Sequence, residues 1–422
     1  MKKIKKLATL FFFVVLVFAS RSYPALPEQL QQYVRIALST NPQIEAAEQR
    51  IRAAENVIPQ AGALPDPQLS FGLMNLPINS FSFDQEPMTG KVIAVMQKFP
   101  FPGKLGLRTD MAEFEMQSRR YKKEEVRNLI VMLVKKTYYS LYAIDRAIET
   151  VITNRALMRQ FVRVAETKYA TGSGLQQDVL RAQVELTKLE DDLIMWQQKR
   201  KATTAALNAL LNRAIDTEVP LTPVQEMAPV PSFSDAMETI RETRPLLKSW
   251  QVMVEKANVA LKLAHKEYYP NFALGASYNQ RDNLANGAVM HDFVSATVSV
   301  NVPLYFWRKQ SRKVEEKQSV LASVQAAYEN AVNQVRGNLG RAKAELERYE
   351  KRIDLYKNGI LVQARQSLES ALAGYQVNKV DFLTLMNNWT MLHNYELQYH
   401  QAVANYYKSA AEYEFITGRV KD

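Results

Sequence analysis

Apolar and polar residues follow two rhythms in this chain. In 293–302, Val294, Ala296, Val298, Val300 and Val302 alternate with Ser295, Thr297, Ser299 and Asn301. In 271–279, Phe272, Leu274, Ala276 and Tyr278 alternate with Asn271, Ala273, Gly275, Ser277 and Asn279. Leu69, Phe71 and Leu73 do the same against Gln68, Ser70 and Gly72, and Lys91–Lys98 is a less regular fourth case. Period two predicts strands, at about 67–75, 90–98, 270–279 and 293–303. Elsewhere the period is helical: Val320, Val324, Ala327, Ala331, Val335 and Leu339 form one stripe.

Proline sets the boundaries. Ten prolines lie between Pro24 and Pro102 and seven between Pro220 and Pro303, leaving 103–219 and 304–422 without any. A residue that lacks the N–H and clashes with the preceding turn is excluded from helix interiors. The two proline-free blocks therefore read as long helices.

The chain is internally duplicated. Pro42/Pro245, Pro67/Pro270, Gly72/Gly275, Pro100/Pro303 and Asp178/Asp381 each stand 203 residues apart. The predicted repeats are 20–219 and 220–422. Each has a helix (27–60; 233–266), two strands, a long helix (104–170; 307–374), a tight break and a second helix (177–213; 380–417). A helix that long spans about 100 Å, so its stripe must be buried in coiled-coil-like hairpins. A coiled-coil scaffold or adaptor is one reading of this pattern.

One apolar and one small, polar face over about ten residues is also the mark of a membrane β-barrel strand, although a sheet with one wet face alternates too. Phe99 and Phe101 end one strand pair; Tyr305, Phe306 and Trp307 end the other. Lys104, Arg308, Lys309, Arg312 and Lys313 follow at once. Aromatics with snorkelling cations suit a membrane boundary. Four strands cannot close a barrel, and lipid tolerates no open edge. Strands in a membrane would require oligomerisation; three chains supply about twelve strands.

Composition narrows the classes. The 422 residues include no cysteine, which removes disulfides, thiolate metal sites and a lipid-anchor cysteine. The net charge of +11 falls to +7 without Lys2, Lys3, Lys5 and Lys6, and no nucleic-acid module accompanies it. Those lysines precede the apolar run Leu7–Phe18 and a small-x-small site at Val17-Phe18-Ala19, with Ser20-Arg21-Ser22 as a second. This predicts a signal peptide over 1–19 and export. No cofactor motif is present: no P-loop, dinucleotide fingerprint, HExxH or nucleophile elbow. His393 and His400 lie two turns apart, too far to share one ion, and are expected on solvated surface with Asp191, Asp192, Glu113 and Glu115. The 15 methionines are scattered, as core filling.

Specific motifs then point to a family. They are Asn41-Pro42, Leu64-Pro65-Asp66-Pro67 before the first strand, and Phe99-Pro100-Phe101-Pro102-Gly103-Lys104-Leu105 after the second. At the helical breaks stand Tyr169-Ala-Thr-Gly172 with Asp178-Val-Leu180, and Tyr375-Gln-Val-Asn378 with Asp381-Phe-Leu383. With the duplication and signal peptide, these resemble the TolC-like outer-membrane efflux family over essentially the whole mature chain. The Pro-Asp-Pro and Pro-Phe-Pro-Gly-Lys elements look most like its heavy-metal efflux branch.

The resemblance implies a mostly α fold with a small β portion. A homotrimer would form a 12-stranded outer-membrane barrel on a long periplasmic helical tube. It implies a non-enzymatic duct that receives metal ions, drugs or secreted proteins from an inner-membrane pump through a periplasmic adaptor. Thr171, Gly172, Ser173, Gly174, Leu175, Val377, Asn378 and Lys379 would be the adaptor-docking tip. Tyr169, Asp178, Tyr375, Asp381 and Thr384 would line the aperture, and Phe99, Phe101, Tyr305, Phe306 and Trp307 would meet outer-membrane lipid. Counted from tyrosine to aspartate, the second break is three residues shorter than the first. Thr384 stands where the family often has a second acid. Asp178 and Asp381 read equally as helix N-caps, and Tyr375 as a bond across helices or as core.

Overall fold

The computed structural model describes residues 27–223 and 233–419. The signal peptide expected over 1–19 lies outside the described residues.

The first helix of each repeat is two helices, where the sequence pattern predicts one. α1 spans Glu28–Thr40 and α2 Pro42–Gly62. Pro42 forces Asn41 into extended backbone (φ −69°, ψ 123°), and the Asn41 side chain accepts from Gln43 N at 2.9 Å. The second repeat breaks the same way, with α5 at Phe233–Thr243, α6 at Pro245–Lys266 and Arg244 extended between them.

Strands β1 (Gln68–Met74), β2 (Gly90–Phe99), β3 (Asn271–Gln280) and β4 (Phe293–Asn301) form one antiparallel sheet in the order β1-β2-β3-β4. The β2–β3 pairing joins the repeats. The register aligns Leu69, Val95, Ala276 and Ala296 in one row. Phe71, Ile93, Tyr278 and Val294 form the next. Opposed residues in antiparallel strands share a face, so the four separate alternations merge into one apolar surface. The opposite face carries Ser70, Ala94, Ser277 and Ser295 in one row and Gln68, Met96, Gly275 and Thr297 in another. Among the described residues nothing covers the apolar face: Phe71 is 73% exposed and Val294 80%.

Long helices follow each strand pair. α3 (Lys104–Ala170) is an unbroken helix of 67 residues and turns back into α4 (Gln176–Leu210). In the second repeat, α7 (Gln310–Leu355), a π-helical turn at Tyr356–Ile360 and α8 (Leu361–Gln376) precede α9 (Phe382–Thr417). The continuous helix expected over 307–374 thus begins at Gln310 and is interrupted. Asn358 and Gly359, both weak helix formers, occupy the π turn. The repeat offset is 203 as far as Pro303, yet α7 begins 206 residues after α3. The three additional residues fall in the turn Leu304–Arg308, which holds the Tyr305–Trp307 aromatics.

Two cores hold the helices. One gathers Leu30, Val34, Ile130, Tyr138, Leu207, Leu247, Leu339 and Tyr413 from α1, α3, α4, α6, α7 and α9. The other runs toward the far end of the hairpins through Val151, Met158, Phe161, Leu189, Leu368, Leu385 and Trp389. Within this second core Trp389 Nε1 donates to Asn154 Oδ1 at 2.8 Å. The fully buried Asp145 carboxylate accepts from Arg200, Thr222 N and Thr222 Oγ1, at 2.7, 3.1 and 3.0 Å, and so fixes the segment after α4 to α3.

The two histidines of α9 are not solvated. His393 is 6% exposed and stacks on Trp389 with ring centroids 5.5 Å apart. His400 packs against Tyr142 and Tyr399. Burial lowers both pKa values, that of His400 to about 4. Both lie on the helix face that carries Phe382, Met386 and Trp389 into the core. Glu115, also expected on solvated surface, accepts from Arg119 and Lys256 across α3 and α6.

Candidate tip aperture and membrane face

The turn after α3 and the turn after α8 are the same structure. Ser173 N donates to Lys168 O at 2.8 Å and Gly172 N to Tyr169 O at 3.0 Å. In the second copy Lys379 N donates to Gly374 O at 2.8 Å and Asn378 N to Tyr375 O at 3.2 Å. Gly172 and Asn378 both occupy the left-handed region, at φ 73° and 60°. This is a helix C-cap, which glycine or asparagine closes with least strain.

The N-caps that follow, Leu175 and Asp381, are likewise 206 residues apart and both extended. The two breaks are therefore equal in length, not three residues different. The 203-residue match of Asp178 to Asp381 pairs different positions. Asp381 is an N-cap, accepting from Thr384 N at 2.6 Å, and that bond lowers its pKa. Asp178 is the third residue of α4 and makes no cap bond; its counterpart is Thr384. Each copy thus carries one acid, staggered by three residues, or about 4.5 Å of helix rise.

A groove of about 500 Å³ lies between the two turns. Ser173, Gly174, Leu175, Asp178, Tyr375, Asn378, Lys379 and Asp381 line it, as do Gln177, Arg181, Val380, Phe382 and Leu383. Thr171, Gly172, Val377, Tyr169 and Thr384 are at the tip but outside the groove; Tyr169 is half-exposed and Val377 is 62% exposed. The tyrosines of the two copies differ. Tyr375 is buried against Phe382, centroids 5.3 Å apart, with its hydroxyl beside Asp178 but in no well-formed hydrogen bond. Burial and that carboxylate push its pKa up to about 12. Core packing, not a bond across helices, is its role in this conformation.

The bond across the hairpins is made by Lys168, which sequence reasoning did not single out. Its ammonium donates to Asn378 Oδ1 and lies 4.6 Å from the Tyr375 ring centroid. The available signal was a cation in the last turn of a helix, where it faces free carbonyls.

At the opposite end Phe99 pairs across strands with Phe272. Phe101 stacks on Tyr269 at 4.6 Å between centroids. Trp307 makes edge contacts with Tyr305 and with Phe306, and Tyr305, Phe306 and Trp307 are 70%, 49% and 55% exposed. Among the described residues no helix is long and apolar enough to cross a membrane, and no cluster of three or more His, Asp or Glu could hold a metal ion.

The sequence profile of the outer membrane efflux protein family matches residues 33–213 and again 236–419, once in each repeat. The chain belongs to that family. This efflux protein is 21% identical over 397 residues to the cobalt-zinc-cadmium resistance protein CzcC of Cupriavidus metallidurans, covering 93% of this chain and 90% of that one. It is 21% identical over 225 residues to the toxin and drug export protein A of Aggregatibacter actinomycetemcomitans, covering 53% of this chain and about half (49%) of the relative. The solved outer-membrane channel OprN shares its fold, with a TM-score of 0.80 at 14% identity over 93% of this chain and 90% of that one. The efflux protein therefore has the mostly helical fold with a small sheet expected of it, and membership of the outer membrane efflux protein family displaces the scaffold alternative.

Proposed function

We propose that the protein is the passive exit duct of a tripartite efflux system, working as a homotrimer. The observation that carries this is the sheet: four strands with one continuous, exposed apolar face and two unpaired edges, on β1 and β4. In water such a sheet exposes its apolar rows and invites aggregation. In lipid its edges must be closed. Edge-to-edge joining of three copies satisfies both demands and makes a 12-stranded barrel, with the helices continuing as a periplasmic tube. The chain catalyses nothing in this reading.

The two equal turns at the far end suit docking by a periplasmic adaptor, through Thr171–Leu175 and Val377–Lys379. The adaptor in turn joins an inner-membrane pump that supplies the energy. Tyr169, Asp178, Tyr375, Asp381 and Thr384 surround the aperture, where Asp178 and Asp381 from three chains form two staggered acidic rings that attract cations. The aromatics Phe99, Phe101, Tyr305, Phe306 and Trp307 mark the membrane boundary. Metal cations are the proposed cargo, supported by the near full-length likeness to CzcC.

The test is the mass of the detergent-solubilised oligomer recovered from the outer-membrane fraction, with and without heating. A heat-dissociable species of three chains is expected. A soluble periplasmic monomer or dimer would overturn the duct. For cargo, deletion should sensitise the host to zinc, cobalt or cadmium; unchanged metal tolerance with increased drug sensitivity would overturn the metal assignment.

A further inference from the structure

Where the two central strands pass into helices, an open cleft of about 710 Å³ separates the start of α3 from the end of α6. Gly103 and Leu107 form one wall; Lys262, His265, Lys266, Tyr268 and Tyr269 form the other. Lys262 and Lys266 are one helical turn apart with His265 between them, so all three side chains share a face. Lys266 Nζ lies 5.5 Å from the Phe101 ring centroid and 5.7 Å from that of Tyr269, over the stacked pair. Gly103, in the left-handed region (φ 87°), starts α3 directly across from this ammonium: a Cβ there would make ordinary contact with Lys266 Nζ at 3.7 Å.

Lys266 of the cleft meets aromatic faces rather than a carboxylate. Among the described residues neither lysine is ion-paired. At the same level on α7, by contrast, Arg312, Lys313 and Lys317 pair with Glu315 and Glu316 at 2.6–2.9 Å. The adjacent acid, Glu267, acts on Lys104 and Lys313 and does not line the cleft.

Position decides what could use it. The cleft lies between the extensions of β2 and β3, in the middle of the protomer, so closure through the β1 and β4 edges leaves it open. Gln251, Glu255, Lys262 and His265 follow one stripe along α6, and Tyr269 lies three residues beyond its end. On that stripe Gln251 donates to Tyr328, which also receives Arg241 of α5, at 3.0 and 3.5 Å. In the proposed duct this stripe is placed on the outer side of the wall, where the α5 helix beside it does not obstruct the lumen. The last apolar row of the sheet, Phe99, Phe272 and Val300, lies two residues before Phe101 and three after Tyr269 along the chain.

We propose that this cleft binds the phosphate headgroup of an anionic phospholipid in the periplasmic leaflet. The lysines and His265 receive the phosphate, the Phe101–Tyr269 stack carries the glycerol region, and the acyl chains lie along the apolar rows of β2 and β3. Aromatic rings with basic residues at this depth are the usual chemistry of headgroup recognition. The site rests on the outer-membrane placement proposed above.

The test uses the full-length oligomer in nanodiscs of equal phosphatidylglycerol and phosphatidylethanolamine, released and examined by native mass spectrometry. Wild type is expected to retain phosphatidylglycerol at least fivefold over phosphatidylethanolamine, with up to three molecules per trimer. Lys262→Gln/Lys266→Gln should abolish the preference; Lys201→Gln, on α4, should keep it. Inorganic phosphate at millimolar concentration should not displace the lipid. Equal retention of both lipids, or a preference unchanged in the double variant, overturns the proposal. Displacement by inorganic phosphate overturns the lipid as ligand in favour of a free anion. Failure to insert into nanodiscs overturns the barrel as well, whereas insertion without preference overturns the cleft alone.

Discussion

Lys168 and Asn378 join the two hairpins at their far end: the lysine ammonium donates to the asparagine carbonyl, above the buried ring of Tyr375. This contact links a helix of the first repeat to the turn of the second. It is the polar latch of the tip in this conformation. Lys168→Ala should loosen the tip by about 1–2 kcal/mol, the worth of a charged hydrogen bond and a partly desolvated cation–π contact. Planar-bilayer recordings should show higher single-channel conductance with unchanged oligomer mass. Conductance equal to wild type would remove Lys168 from gating.

Asp381 stabilises the start of α9 by accepting from Thr384 N. Its folded pKa is lowered from 3.8, so the contribution is present above that pH and is lost as pH falls through the lower folded value. Asp381→Ala should accelerate hydrogen exchange in the peptide spanning Phe382–Leu385 at neutral pH. Asp381→Asn, which still caps, should restore protection and remove the acid dependence.

His400 sets a different window. Burial, aided by the charge of Arg146, lowers its pKa from 6.5 to about 4. A histidine with a depressed folded pKa binds its proton more readily when unfolded. Stability is therefore full above about pH 6.5 and declines as pH drops toward 4. The loss is about 2 kcal/mol once partial exposure is allowed for. His400→Leu should flatten the melting temperature across that range; a slope equal to wild type would assign the dependence to other groups.

Gly418 closes α9 at φ 68°, where a Cβ would lie 2.5 Å from the Thr243 carbonyl oxygen. Its counterpart in the first repeat, Asn212, has φ 51° and donates to Thr40 O at 3.0 Å. Gly418→Ala should cost about 2–4 kcal/mol, from left-handed strain plus a backbone clash. Asn212→Gly should cost under about 1 kcal/mol, since only the side-chain hydrogen bond is lost. Thermal melts of the two variants give the comparison.

The sheet predicts opposite outcomes for neighbouring residues. Val298 lies on the apolar face and Thr297, opposite Gly275, on the other. Val298→Arg should cost about 2–4 kcal/mol near the bilayer midplane and reduce outer-membrane recovery. Thr297→Arg should insert normally and change conductance instead. Equal insertion of both variants would mean that the apolar face does not meet lipid.

Much of this architecture was legible because its signals are local. Alternation at period two located all four strands within a few residues, and the absence of proline located the long helices. The tyrosine-to-asparagine and tyrosine-to-glycine breaks located both tip turns. Where local signals misled, the reason is specific. Asp178 and Asp381 share a residue type and the same 203-residue spacing as the strands, yet only Asp381 caps a helix. The true offset beyond the sheet is 206, because the insertion lies in the Leu304–Arg308 turn, which has no pattern of its own. Asn41 and Arg244 break their helices through the proline that follows, a signal present in the sequence but outweighed by the flanking helical periodicity.

By itself, then, the sequence determined the repeat, the element types and the residues that could sit at each end, since backbone sterics and side-chain periodicity act over a few residues. The tertiary structure decided what no short window contains. It paired β2 with β3, bringing the repeats into one sheet and four alternations onto one face. It buried His393 and half-buried His400, which polarity alone assigns to water, because their helix face is turned inward by the long hairpin. It also set Lys168 against Asn378, 210 residues away, a contact that exists only because the two hairpins lie side by side.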